Sequence, residues 1–191
     1  INKRYILKLM AGSAVGVLEV YIFNDELKIL QVYTTGSRGW KWTLNLSDLA
    51  ASFSNFVITH DGDSTNPPTL YLNGNATTAT ADGGGNGHTT LNTVRSIYIG
   101  DTNDLNALFE LQGQLSNFAI YGTQLNSSQA ALIYNNGVPP ATPPVAASLL
   151  DFWSMEPATV DPFPTIFSGS VVSSSQGNFN HVVAATPELS Y

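Results

Sequence analysis

Apolar and polar positions alternate with a period of two along the first part of the chain. Trp40-Lys41-Trp42-Thr43-Leu44-Asn45-Leu46 is the cleanest run, and such alternation marks a strand with one dry and one wet face. Residues 5–10, 17–23 and 27–33 read as earlier strands, with Asn24-Asp25-Glu26 and Gly36-Ser37-Arg38-Gly39 as turns. Residues 48–52 read as a helical turn and 53–60 as a further strand. A polar loop over 61–68 ends in Pro67-Pro68, which stops any ladder because proline has no N–H to donate. Leu70-Tyr71-Leu72 then runs into Asn73-Gly74. That pair tolerates positive φ at both central positions and predicts a tight type I′ hairpin, with residues 77–80 returning. The glycine-rich stretch over 81–90 reads as a loop, and it lacks the Gly-Lys-Ser/Thr of a phosphate cradle. Strands recur about every ten residues with turn signals between them, the spacing of a β-sandwich.

The pattern changes after Tyr121. Asn126-Ser127-Ser128-Gln129 has the form of a helix start, with Asn126 as cap and Gln129 at the reciprocal position. Gly137 is placed as its stop. Pro139-Pro140 and Pro143-Pro144 make residues 138–147 an extended connector. Leu149-Leu150-Asp151-Phe152-Trp153-Ser154-Met155 is a strongly apolar strand. It either returns to the first sheet system or opens a second module. The remainder is rich in Ser, Val and Pro without helical period, and reads as irregular or strand-like, an arm to be laid on a neighbour.

Composition narrows the surface chemistry. Apolar residues make up 43% of the 191 positions, enough for a core, but charged residues only 11%, against about 25% in ordinary globular chains. Asn, Ser, Thr, Gln and Gly must therefore cover the outside. The formal net charge is −7, and all seven basic residues (Lys3, Arg4, Lys8, Lys28, Arg38, Lys41, Arg95) lie at or before position 95. The rest of the chain offers no cation to a phosphate backbone, which argues against nucleic-acid binding. Lys3, Arg4 and Lys8 suit an acidic partner, or simply a solvated end. There is no cysteine, hence no disulfide framework, and no apolar run long enough for a membrane helix. No signal peptide is visible before the first strand.

Taken in order, Phe56-Val57-Ile58-Thr59-His60-Asp61-Gly62, Leu70-Tyr71-Leu72-Asn73-Gly74, Ser96-Ile97-Tyr98-Ile99-Gly100-Asp101, Gly113-Gln114-Leu115-Ser116-Asn117-Phe118-Ala119-Ile120-Tyr121 and the short helix resemble the laminin-G-like branch of the concanavalin-A-like jelly rolls. The resemblance implies an all-β, antiparallel two-sheet jelly-roll sandwich over residues 1–137, with one short helix near 126–135. A connector over 138–147 and a returning strand with an extended C-terminal arm over 148–191 complete the expected layout. Asn135-Asn136-Gly137-Val138-Pro139 is similar to the exit of such modules in phage and marine-bacterial structural proteins. It implies a non-enzymatic structural or adhesive protein: a capsid decoration, cement or fibre-associated component at the surface of a tailed-phage virion. Its partners would be other virion or surface proteins, or further copies of itself. The alternative is a secreted or cell-surface lectin-like module that binds carbohydrate, with or without calcium.

Catalysis is disfavoured on residue grounds. Glycosidases of this fold carry Glu-x-Asp-x-(x)-Glu on one strand, so that the alternation points all three carboxylates into the cleft. Glu19, Glu26, Glu110, Glu156 and Glu188 form no such group. His60, His88 and His181 show no metal-ligand spacing, and no Gly-x-Ser-x-Gly elbow is present. Calcium is the one cofactor the resemblance brings in. Asp101, Asn103 and Asp104 offer three hard oxygen ligands in one loop, and Asp61 with Asp63 a second cluster. Both compete with the habit of Asp and Asn of capping their own turns. For a glycan, Trp40, Trp42 and Tyr71 are the stacking candidates, the two tryptophans sharing one sheet face. Their competing use is core packing.

Overall fold

The structure, a computed structural model, describes residues 3–11, 16–44, 54–86, 96–100, 111, 117–138, 140 and 142–153. The alternating stretches of the N-terminal part become a four-strand meander: β1 (Arg4–Met10), β2 (Gly16–Phe23), β3 (Glu26–Tyr33) and β4 (Gly36–Thr43). β5 (Phe56–Thr59), β6 (Thr69–Leu72) and β7 (Asn75–Thr78) form a second meander. β8 (Thr80–Gly84) and β9 (Ser96–Ile99) join opposite edges of the first, giving a six-stranded sheet in the order β8-β4-β3-β2-β1-β9. β10 (Phe118–Tyr121) pairs with β11 (Leu149–Trp153). Every pairing is antiparallel. Among the described residues there is one α-helix, α1 (Ser127–Tyr134).

The inward residues of these sheets share one core. Leu7, Leu9, Val20, Leu27, Ile29, Trp40 and Trp42 come from β1 to β4. Leu70 from β6 meets them, and Phe56, Ile58, Leu72, Phe118 and Ile120 pack against the same cluster. The arrangement is sandwich-like, with sheet faces closing on apolar side chains. The outward residues Val57 and Tyr71 of the three-stranded sheet form a second cluster with Leu125, Ala130 and Val145. α1 thus roofs the far side of that sheet.

Local geometry follows the turn and cap chemistry. Asn73 and Gly74 hold φ of 50° and 78°, as a type I′ turn requires. A Cβ on Gly74 would lie 2.9 Å from the Tyr134 ring, so this turn needs glycine for space as well as for φ. At α1, Asn126 Oδ1 accepts from the Gln129 backbone N–H (3.0 Å), and Gln129 Oε1 accepts from the Asn126 N–H (2.9 Å). The helix ends earlier than Gly137. Asn135 takes the left-handed cap at φ 45°, and a 3-10 turn follows over Asn135–Gly137.

Two glycine-rich stretches expected outside the strands lie in them. Tyr33 pairs with Gly36, so Thr34-Thr35 is the turn and Gly36-Ser37-Arg38-Gly39 is already strand. The expected loop at 81–90 begins instead as β8. The reason is a close approach of two backbones at a bulge. Arg38 pairs with Gly84 but Trp40 with Ala81. A Cβ on Gly39 would stand 2.8 Å from the Asp82 carbonyl oxygen, and one on Gly84 would overlap that of Ser37. The helical turn expected at 48–52 and the arm beyond 153 lie outside the described residues.

Candidate functional site

The outward face of the six-stranded sheet gathers a cluster of charged side chains in a chain that is only 11% charged. β3 turns Glu26 and Lys28 outward between Leu27 and Ile29, and β4 turns Lys41 outward between Trp40 and Trp42. Lys28 and Lys41 sit directly opposite each other, which alone is repulsive. Two carboxylates separate them. Glu26 reaches Lys41 at 2.7 Å and Lys28 at 3.1 Å; Asp82 from β8 reaches Lys28 at 2.8 Å and Lys41 at 3.9 Å. The two ammonium groups, Lys41 first, hold the Glu26 carboxyl below the usual carboxylate range, and Asp82 chiefly raises the Lys28 ammonium. Glu26 is therefore kept ionised, the opposite of the raised carboxyl that a general acid needs.

Across the sheet, Glu19 lies between Lys8 and Lys3, each at 3.9 Å, and accepts from the Tyr5 hydroxyl at 3.2 Å. Tyr5 and Tyr21 pack with centroids 5.4 Å apart. Lys3 stands 4.4 Å from the Tyr21 ring centre, and Lys28 stands 5.7 Å from that of Phe23. Burial raises the Tyr21 hydroxyl. The result is a surface of interleaved sign with aromatic rings beneath the lysines. It holds four of the chain's seven basic residues.

The sugar-stacking candidates are elsewhere. Trp40, Trp42 and Tyr71 are 4%, 3% and 9% exposed. The first two lie in the main core opposite Ile29 and Leu27, and Tyr71 lies under α1. Stacking on a pyranose needs an open ring face, and none of the three presents one; core packing takes them instead. Trp42 also spends its indole N–H on the Thr77 carbonyl at 3.0 Å. Asp101, Asn103 and Asp104 lie outside the described residues.

Asp61 and Asp63 cap their own loop. Asp61 accepts from the Asp63 N–H (2.9 Å) and the Asn66 amide (2.6 Å); Asp63 accepts from the Thr65 N–H (2.8 Å) and hydroxyl. These bonds hold both carboxyls below the usual range, the Asp63 N–H leading for Asp61 and the Thr65 hydroxyl for Asp63. Among the described residues no group of three or more His, Asp or Glu is placed to hold a metal ion. His60 is tied in structurally: its Nε2 meets the Asn66 carbonyl at 2.8 Å, and its Nδ1 the Gly62 N–H and the Gln31 amide, each at 3.0 Å.

The alternation Trp40-Lys41-Trp42 marks a wet face that takes Lys41, whereas the sequence reading of residues 27–33 as a strand did not single out Lys28. Their meeting with Asp82 had no sequence signal, because nothing local says that β8 returns beside β4. No helix among the described residues is long and apolar enough to cross a membrane. No family model, curated protein or solved structure matches this chain.

Proposed function

We propose that the chain is a non-enzymatic structural and adhesive module, a laminin-G-like jelly roll that decorates or cements a tailed-phage virion. It docks on a neighbouring protein through the outward face of its six-stranded sheet. The observation that carries this reading is the concentration of Lys3, Lys8, Lys28 and Lys41, with Glu19, Glu26 and Asp82 between them, on one face of a chain that is only 11% charged. Interleaved charge of this kind gives orientation and partner choice more than raw affinity. The partner it fits has an acidic surface, since lysines outnumber acids on this face. The burial of Trp40, Trp42 and Tyr71 favours docking over the lectin alternative. The jelly-roll assignment is supported by two antiparallel meanders that share a core and by the step from β7 to β8, which passes the chain from one sheet to the other.

The test is to locate the chain in purified virions by mass spectrometry, and to measure its binding to stripped particles with and without Lys28→Glu. Presence in virions, with binding that falls about tenfold or more in the variant and weakens with salt, is the expected result. Absence from virions, together with a clear glycan-array signal abolished by EDTA, would replace this reading with the calcium-dependent lectin.

A further inference from the structure

The inward end of β3 and β4 carries polar side chains where the pattern calls for apolar ones. Gln31 continues the face of Leu27 and Ile29 and is 3% exposed. Arg38 lies directly opposite it, and the guanidinium carbon stands 4.4 Å from the centre of the Trp40 ring. Arg38 Nη1 donates to the Gly84 carbonyl at 3.0 Å. Three atoms of this group have no hydrogen-bond partner among the described residues: Gln31 Oε1, Arg38 Nε and Trp40 Nε1. A buried polar atom left unmet is costly because it has given up its bonds to water, so three on neighbouring residues call for an occupant.

The orientation of the Gln31 amide is fixed by a neighbour. The Gly62 N–H donates to His60 Nδ1, so that nitrogen is an acceptor and can receive only the Gln31 NH2. Oε1 is thereby turned away from His60, an acceptor on the residue directly opposite Arg38, which in turn stacks on Trp40.

We infer that Gln31 Oε1, Arg38 Nε and Trp40 Nε1 together hold one neutral hydroxyl oxygen. A hydroxyl accepts from both N–H groups and donates to the amide oxygen, meeting all three at once; buried waters make about three such bonds. An anion would leave Gln31 Oε1 unmet, because an acceptor-only group has no proton to give an amide oxygen. A cation is excluded by the guanidinium. The oxygen belongs either to an ordered water or to a polyol such as a sugar. The site lies on the opposite face of the sheet from the docking surface and does not depend on that reading.

The experiment uses the whole 15N-labelled chain. Its three tryptophans give three indole signals, and Trp40→Phe identifies the one from Trp40. Trp42, bonded to Thr77, is the internal reference. A nuclear Overhauser contact from the Trp40 indole proton to long-lived water, unchanged by glycerol or methyl mannoside, assigns the oxygen to water. A shift of that signal on titration with either polyol, with the Trp42 signal still, assigns it to a sugar-type hydroxyl. Gln31→Leu removes the acceptor and should abolish whichever signature is found. A Trp40 indole with neither signature in the unsubstituted chain overturns the inference, as does a signature that survives Gln31→Leu.

Discussion

At the residue scale the tightest local constraint is the β2–β3 turn. Asn24 and Asp25 both sit at positive φ, 51° and 60°. Asparagine is at home there, whereas Asp25 occupies the place that glycine usually takes in a type I′ turn. A side chain in the left-handed region costs about 1–2 kcal/mol, and glycine would return about 0.5–1 kcal/mol of that as unfolded-chain freedom. Asp25→Gly should therefore stabilise the fold by roughly 0.5–1 kcal/mol, a rise of about 1–4 °C in Tm. The Asp25 carbonyl still accepts from the Leu44 N–H at 2.9 Å, so the substitution leaves that tie intact. A thermal melt decides it, and a lowered Tm would mean that the Asp25 side chain matters more than its backbone. The tryptophans show how far a single position can be read. Their spacing placed Trp40 and Trp42 on one face. The lysine between them marks the other face as wet, because Lys41 needs water or an ion pair, but the spacing left the tryptophans open to sugar stacking or core packing, and the fold decides for the core.

At the scale of elements, legibility followed how local the determinant was. The capping box at α1 is written within four consecutive residues, and the helix starts where they place it. It ends where the expected range of 126–135 has it, but the left-handed cap is Asn135 and not Gly137; both residue types suit that cap, and Tyr134 packs over the Asn73-Gly74 turn. β8 and the start of β4 were misread for a different reason. Glycine there signals close approach of a second backbone, and a single segment cannot reveal its partner. The helix also provides a clean test. Asn126→Ala removes the acceptor for the Gln129 N–H and should cost about 1 kcal/mol. Because α1 roofs Val57 and Tyr71, hydrogen exchange should quicken over residues 127–134 and also at β5 and β6. Quickening confined to the helix would show that the roof and the three-stranded sheet open independently.

For the whole molecule, strand order does what no sequence window could. It brings Lys28 and Asp82, 54 positions apart, into contact at 2.8 Å. Stability should then depend on pH at both ends of the scale. Glu26, Asp61 and Asp63 have carboxyls lowered in the fold, so the unfolded chain takes up protons first on acidification. Their contribution is full above the ordinary carboxylate range, near pH 4, and is lost as the pH falls through the lower folded values. Lys28 is raised by Asp82, and Tyr33 is pushed up to about 12 by burial and by the charges of Asp63 and Asp61. Here the unfolded chain releases protons first, so stability is full below about pH 10 and declines as the pH rises through the folded values. Melting temperatures across the pH range should trace a plateau with two falling limbs. Lys28→Met takes away one cation shared by Glu26 and Asp82, so the Glu26 carboxyl relaxes toward its ordinary value and the acid limb becomes shallower. Asp61 and Asp63 keep their own loop donors and preserve the remainder of that limb. Because Lys41 leads in holding the Glu26 carboxyl low, the decisive variant is Lys28→Met with Lys41→Met; an acid limb of unchanged steepness in that pair would assign the acid sensitivity to the loop at 61–66, leaving the charged face a surface for partners with little part in holding the fold.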